Sequence, residues 1–375
     1  MNKRNWWIVG VVLVAILIIF LLVKMSVEKQ DDSITIGGVV ALSGDASIYG
    51  MMIFEGAELA IEEINNKGNL SMKIIWEDTE SDDVMAVTAA NKLINIDGVN
   101  IIIGSDKSSS TLAIAPIAES SKVILFNTIS GSEDISNAGD YVFRNREGAV
   151  TNGKIMADFL MKEKNVQKVA VIVAQSSNSL SYGKSFTQEF ESLGGDITIS
   201  IEYLPDSTDF KTEIIKIKDS DVEAVYLATS VGIDGAIIVK QLRELGFDGF
   251  ITGANALESE DFLQAVGKSG EGILFTSPMF DIENPTIKDY RERYNVKYGK
   301  DSNVYAANSY DAIMILSDAI LFCKGDDDTN CIRDYIYGLK DYSGIAGLTS
   351  FDEDGEVLKP VMIKTIKDGQ FVLYE

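Results

Sequence analysis

The sequence predicts an α/β protein: two doubly wound α/β lobes joined by hinge crossings, preceded by one N-terminal transmembrane helix. Three observations carry that expectation. From Ile34 to Thr276, short β-rich runs alternate with amphipathic stretches of helical length, the rhythm of parallel sheets covered by helices on both faces. The rhythm restarts after Arg144 with no long Pro/Gly/Ser linker, which favours two lobes crossed by short hinges over independent beads. An unbroken apolar run, Trp6–Val23, precedes both halves.

That run holds 18 residues, which at ~1.5 Å per residue reach ~27 Å, close to the hydrocarbon thickness of a bilayer. Lys3 and Arg4 precede it, Lys24 follows it, and neither an Ala-x-Ala site nor a lipid-accepting cysteine ends it. Residues 1–32 therefore read as an uncleaved signal anchor and short linker, basic end inside and everything after Lys24 outside the membrane. A cleaved signal peptide is the alternative.

Ile34–Leu42 reads as a buried strand ending in the turn Ser43-Gly44. Over Met51–Asn66, Ile53, Ala57, Ala60 and Ile64 mark one face of a helix, and Lys67-Gly68 closes it. Strands at Met72–Trp76 and Val99–Ile103 flank a helix at Val84–Ile96, and a helix through Glu119 leads to a strand at Val123–Phe126. After Arg144, helices at Asn152–Lys162, Tyr182–Leu193, Phe210–Ile217 and Ile233–Leu245 alternate with strands at Lys168–Val173, Ile197–Leu204 and Ala224–Leu227. Further strands follow at Gly249–Ile251 and Gly272–Thr276. The tail departs from this pattern. Helices at Asn284–Tyr298, Tyr305–Cys323 and Ile332–Leu339 are followed by strands at Leu348–Phe351, Val361–Ile366 and Phe371–Leu373. Such a segment completes both lobes: the expected first lobe is 33–145 plus about 279–351, the second 146–278 plus about 352–375.

Composition narrows the function. The chain carries 33 Lys+Arg against 57 Asp+Glu, a net charge of −24. Without residues 1–32, which hold four basic and three acidic groups, the balance is 29 against 54, or −25. An acidic body repels nucleic acid and anionic lipid, so no nucleic-acid partner is expected. Histidine is absent, which excludes a Ser-His-Asp triad, a Cys-His dyad and a His-ligated zinc site. No cofactor and no metal are expected: Asp326-Asp327-Asp328 and the acidic stretch from Asp352 to Glu356 lack the ligand spacing of a calcium loop. Cys323 and Cys331 are two free thiols in a reducing compartment. Outside the membrane a small-loop disulfide is the better expectation.

In open α/β sheets ligands lie beyond the carboxyl ends of strands, where loops lead into helix N-termini. That rule selects the loops Ser43–Gly50, Gly104–Thr111 and Asn127–Asp134. Ser108, Ser109, Ser110 and Thr111 place four hydroxyls at a helix start, a receiver for a carboxylate. Plain N-capping needs only one of them, and Ser130 and Ser132 on the neighbouring loop favour a site. Tyr49 is either a cap on the ligand or an ordinary half-buried tyrosine.

Several pieces in fixed order resemble the branched-chain amino-acid-binding family of type I periplasmic binding proteins, receptors of ABC importers. They are Ser43-Gly44 with Tyr49-Gly50, Gly56-Ala57, Ala60-Ile61, Ile64 through Gly68, and Ala90-Asn91-Lys92-Leu93. Gly104 with Ser108 through Thr111, Tyr182-Gly183, and Phe351-Asp352 with Gly355 complete the set. The resemblance runs from about Ile34 to Phe371. It implies a Venus-flytrap fold with three hinge crossings, a ligand held between the lobes, and permease and ATPase subunits as partners. It assigns Ser108 and the loop Ile129, Ser130 and Gly131 to a ligand's carboxylate and ammonium, and Tyr49 and Tyr182 to the cleft wall. The chain departs from the pattern at three places: Asn255 stands where an acid is expected, Gly131 where a threonine hydroxyl is usual, and Ser230 where a second-lobe tyrosine often sits. Glu258, one turn on, is the nearest substitute acid.

The expected function is an extracytoplasmic, membrane-tethered solute receptor that binds a small polar molecule, an amino acid or a related amide or carboxylate, and catalyses nothing. A sensing ectodomain acting through a partner protein is the alternative.

Overall fold

The structure, a computed structural model, describes residues 33–352 and 355–374. The anchor expected over 1–32 lies outside them, and among the described residues no helix is long and apolar enough to cross a membrane.

The first sheet is built from β1 (Ile34–Val40), β2 (Met72–Asp78), β3 (Ile101–Gly104), β4 (Ile124–Asn127) and β5 (Val142–Arg144). All pair in parallel in the order β2-β1-β3-β4-β5. β3 and β4 are apolar runs because both of their faces are covered. Ile36, Ile101, Ile103 and Phe126 enter one core, and Val39, Ile102 and Leu125 enter another on the opposite face. The crossovers are α1 (Ser47–Lys67), α2 (Asp83–Asn95) and α3 (Ser108–Ser121). Asp82 caps α2 by accepting from the Val84 and Met85 amides at 2.8 and 2.9 Å.

The second lobe opens with α4 (Ala149–Lys162), then β6 (Lys168–Ala174), α5 (Ser177–Ser192), β7 (Asp196–Tyr203), α6 (Lys211–Lys218), β8 (Ala224–Ala228) and α7 (Gly232–Glu244). β9 (Phe250–Gly253), α8 (Glu260–Val266) and β10 (Leu274–Pro278) follow. β6 to β10 pair in parallel. Alternate residues again feed two cores: Ala170, Ile172 and Val225 one, Val169, Val171 and Tyr226 the other.

The chain then returns to the first lobe for α9 (Pro285–Tyr298), α10 (Val304–Phe322) and α11 (Thr329–Tyr337). Tyr290, Tyr294, Ile313, Leu316 and Ile332 join the first core. α10 packs so closely on α1 that a Cβ at Gly56 would lie 2.0 Å from the Ala306 carbonyl oxygen. A disulfide joins Cys323, just after α10, to Cys331 in the first turn of α11. The strands β11 (Tyr342–Gly344), β12 (Gly347–Phe351) and β13 (Val357–Leu358) form a small antiparallel sheet whose Phe351 and Val357 sit in the first core. β14 (Val361–Lys367) and β15 (Gln370–Leu373) then add antiparallel strands to β10.

The chain thus passes between the sheets three times: between β5 and α4, between β10 and α9, and between β13 and β14. The first and third passages are tied together. Asn308 on α10 accepts a bond at its carbonyl from Asn145 Nδ2 at 2.9 Å, and at its Oδ1 from the buried Lys359 Nζ at 2.7 Å.

Candidate functional site

A cavity of about 390 Å³ lies between the lobes at the carboxyl ends of both parallel sheets. A larger groove of about 700 Å³ beside Arg333 and Tyr337 is built on the outer helix α11 from first-lobe residues alone, away from any strand end that faces the partner lobe. The interlobe cavity is therefore the candidate site.

Three first-lobe loops supply one wall. Tyr49 comes from the start of α1, Ser108 and Ser109 from the start of α3, and Ile129 and Ser130 from the loop after β4. The second lobe supplies Ser230 after β8 and Asn255 after β9. Gly131 and Tyr182 stand behind this surface. Tyr182 is only 1% exposed and packs in a second-lobe core.

The serines divide by what their hydroxyls already do. Ser109 and Ser110 both donate to Asp83 Oδ1, at 3.0 and 2.6 Å. Burial pushes the Asp83 carboxyl up, but those hydroxyls and Lys107 outweigh it and hold the carboxyl below its ordinary value. The Ser130 hydroxyl is tied to Ser105, Thr111 and Asn127, whose Nδ2 lies 3.0 Å away. Ser108 has only a long contact, accepting from the Ser132 amide at 3.4 Å. No side chain caps α3, so its first amides and the Ser108 hydroxyl form the donor set on this wall.

Sequence reasoning misses the residue at the centre. Arg146, 4% exposed, lines the cavity from the first passage between lobes. Its Nη1 donates to the Ile129 carbonyl and its Nη2 to the Tyr182 hydroxyl at 2.9 Å. Its Nε is buried without a hydrogen bond, and its Cζ lies 5.3 Å from the centre of the Tyr305 ring, which also lines the cavity. Burial disfavours the guanidinium charge, but Tyr182, Tyr305 and Glu147 outweigh it and keep the group firmly protonated. Burial raises the Tyr49 hydroxyl's pKa, and Arg146 opposes it.

Glu147 is 1% exposed; its Oε1 lies 3.7 Å from Arg146 Nε and 3.5 Å from Asn255 Nδ2. Glu258 is not a substitute acid. It pairs with Lys364 and accepts from the Ser277 hydroxyl on the second sheet, away from the cavity lining. Asp106 does line the cavity: its Oδ1 accepts from the Ala41 amide at 2.7 Å, and its Oδ2 is buried without a partner. Burial raises its pKa. Arg146 had a detectable signal, since it follows a strand, but β5 is three residues long and gives no periodicity to read.

Residues 33–370 match the sequence model of a family described as periplasmic binding protein. The chain is similar to the Leu/Ile/Val-binding protein homolog 3 of Brucella melitensis, 24% identical over 335 residues that cover 87% of this chain and 89% of that one. Among solved structures it is similar to a leucine-binding protein of Thermotoga maritima, with TM-score 0.82, 28% identity, and coverage of 91% of this chain and 98% of that one. A branched-chain amino acid transporter substrate-binding protein of Streptococcus pneumoniae, solved in complex with isoleucine, aligns with TM-score 0.80 and 26% identity, covering 90% of this chain and 97% of that one.

Proposed function

The chain belongs to the periplasmic binding protein family, and from that premise we propose that it is the solute receptor of an ABC importer and performs no catalysis. It takes a small polar molecule, an amino acid or a related amide or carboxylate, into the cavity between its lobes. It then closes and presents both lobes to permease and ATPase subunits. Curated relatives are named for binding leucine, isoleucine and valine, some for threonine or alanine as well, and structurally similar proteins are solved with isoleucine, benzoate or hydroxybenzoates. The observation that carries the reading is the 390 Å³ cavity lined by loops of both lobes, because a molecule touching both lobes stabilises the closed form by its differential contacts.

Within that reading, Ser108, Ser109, Ile129 and Ser130 face the solute from the first lobe and Ser230 and Asn255 from the second. Tyr49 caps the cleft, and Gly131 and Tyr182 support it from behind. The first lobe is 33–145 with about 279–358, the second 146–278 with about 359–375, β13 being counted with the core that its Val357 enters. The apolar run Trp6–Val23 holds the receptor at the outer face of the cell membrane.

The test uses the protein purified gently, its small molecules released by denaturation and identified by mass spectrometry. Adding an identified compound back should raise the melting temperature and reduce the radius of gyration in X-ray scattering. A protein that carries nothing, and that amino acids, amides, carboxylates and polyols leave unmoved in both measurements, would overturn the proposal.

A further inference from the structure

Of the two acids on the lining of the interlobe cavity, Asp45 is exposed and Asp106 is only 6% exposed. The register of the first sheet puts Asp106 there. β1 and β3 pair in parallel with Val39 opposite Gly104, where φ is +128° and a Cβ would lie 2.2 Å from the Val39 carbonyl oxygen. Glycine lets the two strand ends close on each other. Two residues further along each chain, the Ala41 amide donates to Asp106 Oδ1 at 2.7 Å, and the Ser105 hydroxyl lies 3.3 Å from the same oxygen. Both contacts hold the carboxyl group by one oxygen, and Oδ2 is buried without a partner. A buried carboxylate oxygen that no donor reaches is costly, and burial raises the Asp106 pKa.

Arg146, also on the lining, has the complementary need: its Nε is buried and unbonded, and Glu147 stays 3.7 Å from it. Beside the guanidinium lies a second acceptor without a partner, Asn178 Oδ1. A Cβ at Gly131 would sit 2.6 Å from that oxygen and 3.3 Å from Arg146 Cζ. Asn178 and Asn255 are neutral amides, and Glu258 is paired with Lys364 away from the cavity. Asp106 is thus the buried charged acceptor of the lining, as Arg146 is its buried charged donor.

We infer that Asp106 selects the solute: a small carboxylate whose anion meets Arg146 and which must also carry an N–H or O–H donor for Asp106 Oδ2. The inference rests on the receptor reading and names the contact that sets its selectivity. An α-ammonium and a hydroxyl further along the skeleton are the two sources of that donor, and the chemistry at Oδ2 is the same for both. A site built to receive such a donor discriminates strongly against the analogue that lacks it, because the buried oxygen is then left unpaired.

The test is titration calorimetry of the full chain with three pairs of carboxylates that differ in one donor: leucine and 4-methylpentanoate, threonine and valine, 4-hydroxybenzoate and benzoate. The first pair removes an α-ammonium, the other two a hydroxyl further along. The expected result is at least a tenfold preference for the donor-bearing member of one or more pairs, and the pair that shows it identifies the source. In Asp106→Asn the Ala41 amide keeps Oδ1 in place and leaves an NH2 group where Oδ2 stood, so the preference should disappear, while Asn178→Ala retains it. Should Asp106→Asn melt abnormally, Asp106→Leu is read in its place with the same expectation; should both, Asn178→Ala decides. Equal affinities within every pair would mean that water alone serves Oδ2 and overturn the inference. So would a normally melting Asp106 variant that keeps the preference, or an Asn178→Ala protein that loses it. Binding of none of the six compounds also overturns it. In each case the receptor reading stands if another small molecule binds, and it fails only when no compound does.

Discussion

At the scale of residues, an acid deep in the first lobe shows how burial sets a measurable pH dependence. That acid is Asp311 on α10, which accepts from the Ile345 and Ala346 amides, both at 2.8 Å. Burial raises its carboxyl from 3.8 to about 6, opposed by the nearby Lys359 and the two amides. A folded state that holds the proton more tightly than the unfolded chain gains stability that is fully present below pH 3.8 and lost as pH rises through 6. Asp311→Asn mimics the neutral form, and one of its two amide partners loses its acceptor. It should be less stable than the parent at about pH 4, with the deficit shrinking by about pH 7; melting curves across that range check this, and a constant deficit would contradict it. Asp311 was invisible in the sequence, because nothing local distinguishes a buried aspartate from the acidic surface around it. The wall residues Tyr49, Ser108 and Ser130 were legible from strand-end loops. The engagement of Ser109 with Asp83, and Arg146 itself, depend on contacts between segments far apart in sequence.

At the scale of elements, the alternation of strand and helix was readable because β1, β3, β4, β6 and β8 are apolar runs of buried parallel type. The helix starts were marked by caps such as Asp82 and Asn284. β5, β11 and β13 escaped because two or three residues show no period. The disulfide gives this scale its prediction. It closes a loop of sequence separation 8 between α10 and α11, and chain-entropy reasoning puts such a cross-link at about 2.5 kcal/mol. Replacing Cys323 and Cys331 together by alanine should lower the denaturation midpoint by an amount equivalent to about 2 kcal/mol while leaving solute affinity unchanged, since neither lies on the cavity lining. Equal midpoints in urea titrations would show that the loop is ordered without the bond.

At the scale of the whole molecule, a two-lobe α/β fold was foreseen from the restart after Arg144. The way the passages between lobes are joined was not, because it rests on one buried amide. Asn308 receives Asn145 from the first passage and Lys359 from the third. Asn308→Ala removes the side-chain partner of a buried lysine, a loss of about 1–3 kcal/mol, and should lower the melting temperature of the soluble region. Unchanged melting would mean that Lys359 finds another acceptor.

Because Asn308 rides on α10, whose apolar residues are rooted in the first core, two of the three connecting segments are fastened to that lobe. Arg146, one residue past Asn145, donates to the Ile129 carbonyl of the first lobe and to the Tyr182 hydroxyl of the second, so the cation clasps both sides of the seam at the point where the chain crosses it.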